Sequence, residues 1–412
     1  MKYSALSLLA LSTSVSAWLP SERNFFGEQP NSVVRNIPAG QGRAVKRFDS
    51  SFNKIRGVNL GSLFIIEPWM ASDAWNKMGC GDQKSEFDCM RKLGKEAGNA
   101  AFQNHWDTWI TEEDMDKMKE YGINTVRVPV GYWMVEETIE KNSEPFATGS
   151  LAKMDRLAEW AAKRGIYVIF DLHGAPGAQE ANQPFTGQYA GTTGFFNTYN
   201  YQRAYKFLEV MTEHIHKTNA YRTTGMIEVL NEPERKSNTL ISEYYATAYG
   251  KIRDVEKKLN IPVEKQLTIQ FMDKSWGAGN PKDVLNGKSG VAYDDHRYLK
   301  WANIENTKKN YLSTSCKDTF GDGGNKPTIV GEWSLAAADN IEGTGEWKPS
   351  TNKDFYKQWW AAQVQSYEKE MGWVFWSWKA QLGEDYRWCY RCAVEAGVIP
   401  KDVGQASSLS KC

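Results

Sequence analysis

The feature that most narrows the fold is a repetition. Eight short apolar runs lie along the chain, at 55–60, 123–130, 166–172, 226–230, 266–271, 290–293, 328–333 and 373–376. They are rich in β-branched and aromatic residues and bounded by turn residues, and they read as buried strands. Longer segments with a helical period separate most of them. Thr111-Glu112-Glu113-Asp114 is a variant capping box with an acidic first turn, and Met115, Met118 and Tyr121 form the apolar stripe behind it. Ser150 reads as the cap of a second helix. Its stripe is Leu151, Met154, Leu157, Ala158 and Ala161, and Gly165 suits its left-handed end. Further helices are expected over 201–218, 243–259 and 354–371, the last closed by Gly372. The stretch holding Gly79, Cys80 and Gly81 reads as a long loop, and so does 175–193. Strands that alternate with helices form a parallel sheet. Eight of them predict an α/β fold, a single-domain (β/α)8 barrel over 48–412. The alternative is a doubly wound open sheet. It is disfavoured because no Gly-x-Gly-x-x-Gly phosphate loop follows the first strand.

Two of the runs end in carboxylates. Met226-Ile227-Glu228-Val229-Leu230 is followed by Asn231-Glu232-Pro233, and Pro233 cannot continue a ladder. Thr328-Ile329-Val330-Gly331 is followed by Glu332-Trp333. Active sites of such barrels sit at the carboxyl ends of the strands. His173, Asn231, Glu232, His296, Tyr298, Glu332 and Trp376 all fall there, and Arg127 can point inward from the second strand. A pair of glutamates in that position is what glycoside hydrolysis needs. Either one alone reads equally well as a polar strand end. Glu67, before Pro68-Trp69, reads as a contact to a sugar hydroxyl or as the acid of a helix start. The chain holds 17 Trp, a surplus that suits a cleft where rings stack on sugar faces as well as it suits a core. Trp69, Trp133, Trp301, Trp333 and Trp378 are not divided between the two by sequence.

Residues 1–17 carry Lys2, an apolar run and Val15-Ser16-Ala17, the pattern of a secretory signal. Residues 18–47 end in Lys46-Arg47, like a processed pro-segment. The full chain has 50 basic and 50 acidic residues; without residues 1–47, which hold six and two, the acidic ones exceed the basic by four. That balance argues against nucleic acid and anionic membranes as partners. Six cysteines in a secreted chain read as disulfides, with fifteen connectivities open. Cys389-x-x-Cys392 has half the spacing of a zinc site, without a second half. No Asn-x-Ser/Thr sequon occurs.

Arg127, His173, Asn231-Glu232-Pro233, His296 with Tyr298, Glu332 and Trp376, in that order, resemble the retaining (β/α)8 enzymes of glycoside hydrolase family 5. Arg56-Gly57-Val58-Asn59-Leu60-Gly61, Glu67-Pro68-Trp69 and Asp171-Leu172-His173-Gly174-Ala175-Pro176-Gly177 are similar to the fungal β-glucanase branch of that family. Its exo-β-1,3-glucanases carry a second Gly and a Trp where this chain has Ser62-Leu63-Phe64. The segment from Gly57 to Trp75, with the Cys80 and Cys89 loop, is more similar to the endo-β-1,6-glucanases. The resemblance covers roughly 52–378.

It implies that Glu232 is the acid/base and Glu332 the nucleophile, with carboxyl groups about 5–5.5 Å apart. It implies that Arg127 and Tyr298 hold Glu332, and that Asn231 meets the 2-hydroxyl of the reacting sugar. His173 and His296 would orient hydroxyls and the acid, and Trp376 would be the floor under the ring. The expected partner is a β-glucan. No cofactor or metal is implied, and a secreted, monomeric protein outside the cell or in its wall is expected. Three other readings are weighed: an exo-β-1,3-glucanase, a metal-dependent hydrolase using Asp171, His173 and His296, and a non-catalytic glucan-binding wall protein. The metal reading lacks a His-x-His or His-Glu-x-x-His cluster. The non-catalytic reading is opposed by the presence of both glutamates.

Overall fold

The computed structural model describes residues 54–235, 237, 239–319, 326–410 and 412. The expected leader and pro-segment at 1–47 lie outside the described residues. The eight apolar runs are all strands: β1 (Ile55–Asn59), β2 (Thr125–Gly131), β3 (Tyr167–Gly174), β4 (Thr224–Glu228), β5 (Thr268–Met272), β6 (Val291–Arg297), β7 (Thr328–Trp333) and β8 (Gly372–Phe375). Each pairs in parallel with the next, and β8 returns to β1, which closes the barrel.

The α-helices of six residues or more follow in chain order. They are α1 (Ser72–Lys77), α2 (Glu86–Leu93), α3 (Lys95–Thr108), α4 (Glu112–Glu120), α5 (Ser150–Lys163), α6 (Thr198–Lys217), α7 (Ala246–Lys258), α8 (Lys308–Lys317), α9 (Lys353–Tyr367) and α10 (Tyr390–Glu395). The stretch read as a loop after β1 holds α1, α2 and α3. Their buried positions keep a helical spacing, 86, 89 and 90 in α2 and 98, 102, 105 and 106 in α3, but Glu86, Gly98 and His105 interrupt the apolar stripe, and the Cys80–Cys89 disulfide ties α2 to the turn after α1. Thr111 and Asp114 make the reciprocal capping box of α4. Asp114 also accepts from Trp378 Nε1 at 2.9 Å, so the cap fastens the loop after β8 to α4. Ser150 is not a cap: Gly149, at φ 86°, takes that place and Ser150 begins α5. A π-helical turn, Leu240–Tyr245, precedes α7. Helix α9 ends at Tyr367, short of the expected 371, and Gly372 opens β8 instead of closing the helix.

Alternation along the strands separates two environments. Val126, Val128 and Val130 of β2 face the helices and join the large outer core, which also takes Trp133, Trp333 and Trp378. Ile55, Tyr167, Ile169, Met226, Ala292, Ile329 and Val374 form a smaller apolar layer inside the barrel. Farther along the same inward faces come polar residues: Asn59, Arg127, Asp171, Glu228 and Asp294, all fully buried. The barrel therefore changes from apolar to polar toward its carboxyl end, and this polar layer carries the site.

The remaining cysteines pair as Cys316–Cys412 and Cys389–Cys392. The Cys-x-x-Cys motif is thus a disulfide rather than half a metal site.

Candidate active site

Arg127 is the centre of the polar layer. Its Nη1 donates to Glu332 Oε1 at 2.9 Å and to Asn59 Oδ1 at 3.1 Å, and its Nη2 donates to Asn231 Oδ1 at 2.8 Å. Its Nε donates to Glu228 Oε2 at 2.8 Å, and Asp171 Oδ2 lies 3.1 Å from Nη2. Burial pulls an arginine down, but Asp171, Glu228, Glu332 and Asp294 hold Arg127 well above its usual range. Burial, with Asp171 and Asp294 nearby, pushes the Glu228 carboxyl well up, against the pull of Arg127.

Glu332 reaches this centre by a break in alternation. Ile329 faces the inner layer and Val330 the outer core, so strict alternation would turn Glu332 outward. The pairing with β6 slips between Asp295 and His296, leaving Gly331 as the extra residue. A bulge of this kind reverses the facing of the residues beyond it. Gly331 lies so close to Asp294 that a Cβ would stand 2.1 Å from its Oδ1, and its N–H donates to that oxygen at 2.8 Å. Only glycine fits there, and Glu332 then points inward while Trp333 packs outward.

Glu232 lies beyond the strand. The ladder of β4 stops at Glu228, not at Leu230, and Asn231 and Glu232 sit on the turn after it. Asn231 N–H donates to Leu172 O at 3.0 Å, and Gln179 Nε2 donates to Asn231 O at 3.0 Å. Glu232 has φ 37°, a left-handed backbone that a non-glycine residue adopts at some strain. His296 joins the two glutamates. Its Nδ1 is 2.6 Å from Glu232 Oε1 and 3.5 Å from Glu332 Oε2. One oxygen of each glutamate and a nitrogen of this ring all lie within 4.8 Å of one another. Burial opposes charge on His296, but Glu332, Asp294 and the bond to Glu232 raise it well above the usual range.

Tyr298 donates its hydroxyl to Glu332 Oε2 at 2.9 Å. Burial and the carboxylates of Glu332 and Glu232 push this phenol well up, so it stays a donor. Burial also pushes Glu332 up; His296 and Arg127 oppose this, and Glu232 adds to it. Asp171 accepts from His173 Nδ1 at 2.7 Å and so leaves Nε2 as that ring's other polar atom. The imidazole stacks on Trp376 with centroids 5.5 Å apart and planes 11° from parallel.

These residues line a cavity of about 770 Å³ that holds Glu67, His173, Asn231, Glu232, His296, Tyr298, Glu332 and Trp376. Eight of the nine site residues read from sequence thus meet in one space, and Arg127 lies directly beneath it. Sequence reading missed Gln183, Phe185, Arg235, Trp276 and Trp388, which also line the cavity. They come from loops with no period to mark them. It also missed Asn59, Glu228 and Asp294. Their signal was available: each is polar, at an inward position of an otherwise apolar strand, near an arginine that needs partners. Ser62-Leu63-Phe64, expected from the resemblance to set this chain apart from exo-acting enzymes, does not face the cavity. Phe64 is buried against Trp106, at 6.4 Å between ring centroids.

The metal set Asp171, His173 and His296 does not converge. Among the described residues the cluster able to hold a cation is Glu232, His296 and Glu332. Arg127 beside Glu332, and His296 pushed toward its charged form, oppose a cation there.

Glu67 is a cavity residue and not a helix-start acid. It is buried, and Trp69 Nε1 donates to its Oε2 at 2.9 Å. Burial pushes this carboxyl up to about 7; Trp69 and His173 oppose the shift, while Glu332 and Glu232 add to it. The folded state then keeps a proton that the unfolded chain has lost. This contribution to stability is complete below about 4.5 and is lost as pH rises through about 7. Melting temperatures of Glu67→Gln, measured from pH 4 to 8, should fall less across that window than those of the unsubstituted protein. Equal slopes would remove Glu67 as a source of the pH dependence.

Residues 90–382 match the family described as cellulase (glycosyl hydrolase family 5). A glucan endo-1,6-beta-glucosidase B of Emericella nidulans is 48% identical over 412 residues, which are 98% of this chain and 99% of the relative. A glucan 1,3-beta-glucosidase of Blumeria graminis is 30% identical over 428 residues, 92% of this chain and 94% of the relative. The crystal structure of rutinosidase from Aspergillus niger superposes with a TM-score of 0.67 at 20% identity, over 85% of this chain and 98% of the other, a likeness of fold. The sequence match spans most of the barrel and both candidate glutamates, and the structure closes that barrel around them. The chain belongs to glycoside hydrolase family 5.

Proposed function

We propose that this protein hydrolyses β-1,6-glucosidic bonds within glucan chains, with net retention. The observation that carries the mechanism is the pair of carboxylates joined by His296, with oxygens inside 4.8 Å. Inverting enzymes leave about 6.5–9.5 Å between these groups for a water, whereas retaining ones hold them about 5–5.5 Å apart.

In the first step a Glu332 oxygen attacks the anomeric carbon. The bond to the leaving oxygen breaks, and Glu232 gives that oxygen its proton. In the second step Glu232 takes a proton from water, which attacks the same carbon and breaks the ester to Glu332. Arg127 and Tyr298 each bond one oxygen of Glu332, which aligns it and stabilises its charge. Asn231 Nδ2 is buried and has no hydrogen-bond partner among the described residues, a donor suited to the 2-hydroxyl of the reacting sugar. Trp376 would carry that sugar on its face. Glu67 and His173 would meet other hydroxyls.

The linkage and internal cutting rest on the relative from Emericella nidulans, whose alignment runs nearly end to end. The three disulfides support a site of action outside the cell or in its wall. No helix among the described residues is long and apolar enough to cross a membrane. Exo-acting β-1,3 hydrolysis is the second reading, favoured by the more distant relative.

Product analysis decides between them. With pustulan, a β-1,6-glucan, polymer length should fall rapidly and short oligosaccharides should appear early. Glucose as the sole early product, or much faster turnover of laminarin, would favour the second reading.

A further inference from the structure

Among the described residues, four large apolar side chains are exposed, and two of them, Trp301 at 64% and Trp69 at 40%, border the cavity. Folding does not account for these two indoles. They are exposed but not loose. Trp69 is fixed by its bond to Glu67 and meets Trp388 edge to face, at 5.2 Å and 72°. Trp301 lies 5.1 Å from the Tyr298 ring and 6.4 Å from Trp388. The short turn Leu299–Trp301 is anchored from its middle: Lys300 Nζ donates to Ala337 O at 3.1 Å and pairs with Asp339 Oδ1 at 2.6 Å. A flat apolar face held in place before binding loses little entropy when it takes up a ring.

The position of these rings says which sugar they fit. Trp301 and Trp388 follow β6 and β8, the two neighbours of β7, which carries Glu332, and Trp69 follows β1, next beyond β8. Arg235 and Trp276 follow β4 and β5 on the wall of Glu232, and the guanidinium lies 4.6 Å over the indole. The acid has to reach the leaving oxygen, so the leaving half of the chain lies along its wall. The wall around Glu332 takes the half that stays bonded to the enzyme.

We propose that Trp301 and Trp69, braced by Trp388, form a stacking subsite for the glucosyl unit attached to the non-reducing side of the reacting sugar. This rests on the glucanase reading above. In a β-1,6 chain that unit hangs from an exocyclic CH₂, which lets its ring swing from the enclosed sugar onto an exposed lip. A subsite there holds a chain that continues past the reacting sugar, as internal cutting requires.

Aryl glycosides test this, because the leaving group is held constant. The measured quantity is kcat/KM for p-nitrophenyl β-gentiobioside divided by kcat/KM for p-nitrophenyl β-glucoside. Trp301→Ala should lower this ratio about tenfold, a typical worth of one aromatic stack. Trp301→Phe, which keeps a smaller ring, should give an intermediate value. Circular dichroism and melting temperature control for folding, and the exposure of Trp301 predicts little change in either. An unchanged ratio in folded Trp301→Ala overturns the subsite. A ratio that falls with the aryl β-laminaribioside but not with the gentiobioside keeps the stacking platform and overturns the β-1,6 assignment.

Discussion

Glu332→Ala is expected to reduce hydrolysis to near the detection limit on every substrate, and external azide should restore part of the turnover as an α-glycosyl azide. The alanine leaves room beside the anomeric carbon for a small anion to attack from the same face. Glu232→Ala should behave differently. It should lower turnover about 10²–10⁴-fold on glucan, the usual worth of general acid catalysis. With an activated aryl leaving group the bond breaks without a proton, and formation of the glycosyl-enzyme should be much less affected. Water must still be activated afterwards, so the intermediate should accumulate and appear as a burst of released phenol. Steady-state and burst kinetics across leaving groups of graded acidity separate the two roles. The same response in both variants would refute the assignment.

Arg127→Met is expected to damage folding as well as activity. The guanidinium is fully buried and touches Glu332, Glu228, Asn231, Asn59 and Asp171. Removing one partner from a buried ion pair leaves an uncompensated charge and destabilises by about 3–5 kcal/mol. Here several carboxylates would be left facing one another, so the upper part of that range is expected. The two consequences can be separated. Chemical denaturation at neutral pH should show a lower midpoint. Activity measured well below that midpoint should still be strongly reduced, because Glu332 and Asn231 lose the group that aligns both. Arg127→Lys keeps the charge but cannot bond in several directions, and should recover more stability than activity. A variant with unchanged midpoint and turnover would show that Arg127 does not organise the site.

The outcome for individual elements shows where sequence reading succeeds. Strands β1 to β8 were legible because each buries both faces, which forces a short apolar run between turn residues. Helix α4 was legible because its cap is written in adjacent residues. Helices α1 to α3 were not, because Glu86, Gly98 and His105 take buried positions of the stripe and leave too few apolar residues to mark its period. The start of α5 shows a smaller failure. Ser150 has the right chemistry for a cap, but the chain turns at Gly149, and only the path of the backbone decides which residue occupies the cap position.

The site divides in the same way. Sequence alone determined the candidate residues Glu67, Arg127, His173, Asn231, Glu232, His296, Tyr298, Glu332 and Trp376, since a parallel barrel brings its strand ends to one rim wherever they fall in the chain. It also determined the likeness to a family, because the motifs are local. Tertiary structure decided the rest. The slip at Gly331 turns Glu332 inward, and it depends on Asp294 of a neighbouring strand. The partners of Arg127 come from five other strands or the turns beyond them, and nothing in their spacing pairs them. Trp69, Trp301, Trp333 and Trp378 are the same residue type in similar surroundings of sequence; two line a cavity and two fill the core. The physical reason is common to all three cases. Strand and cap preferences act between near neighbours, whereas side-chain direction and exposure are set by groups that meet only when the barrel closes.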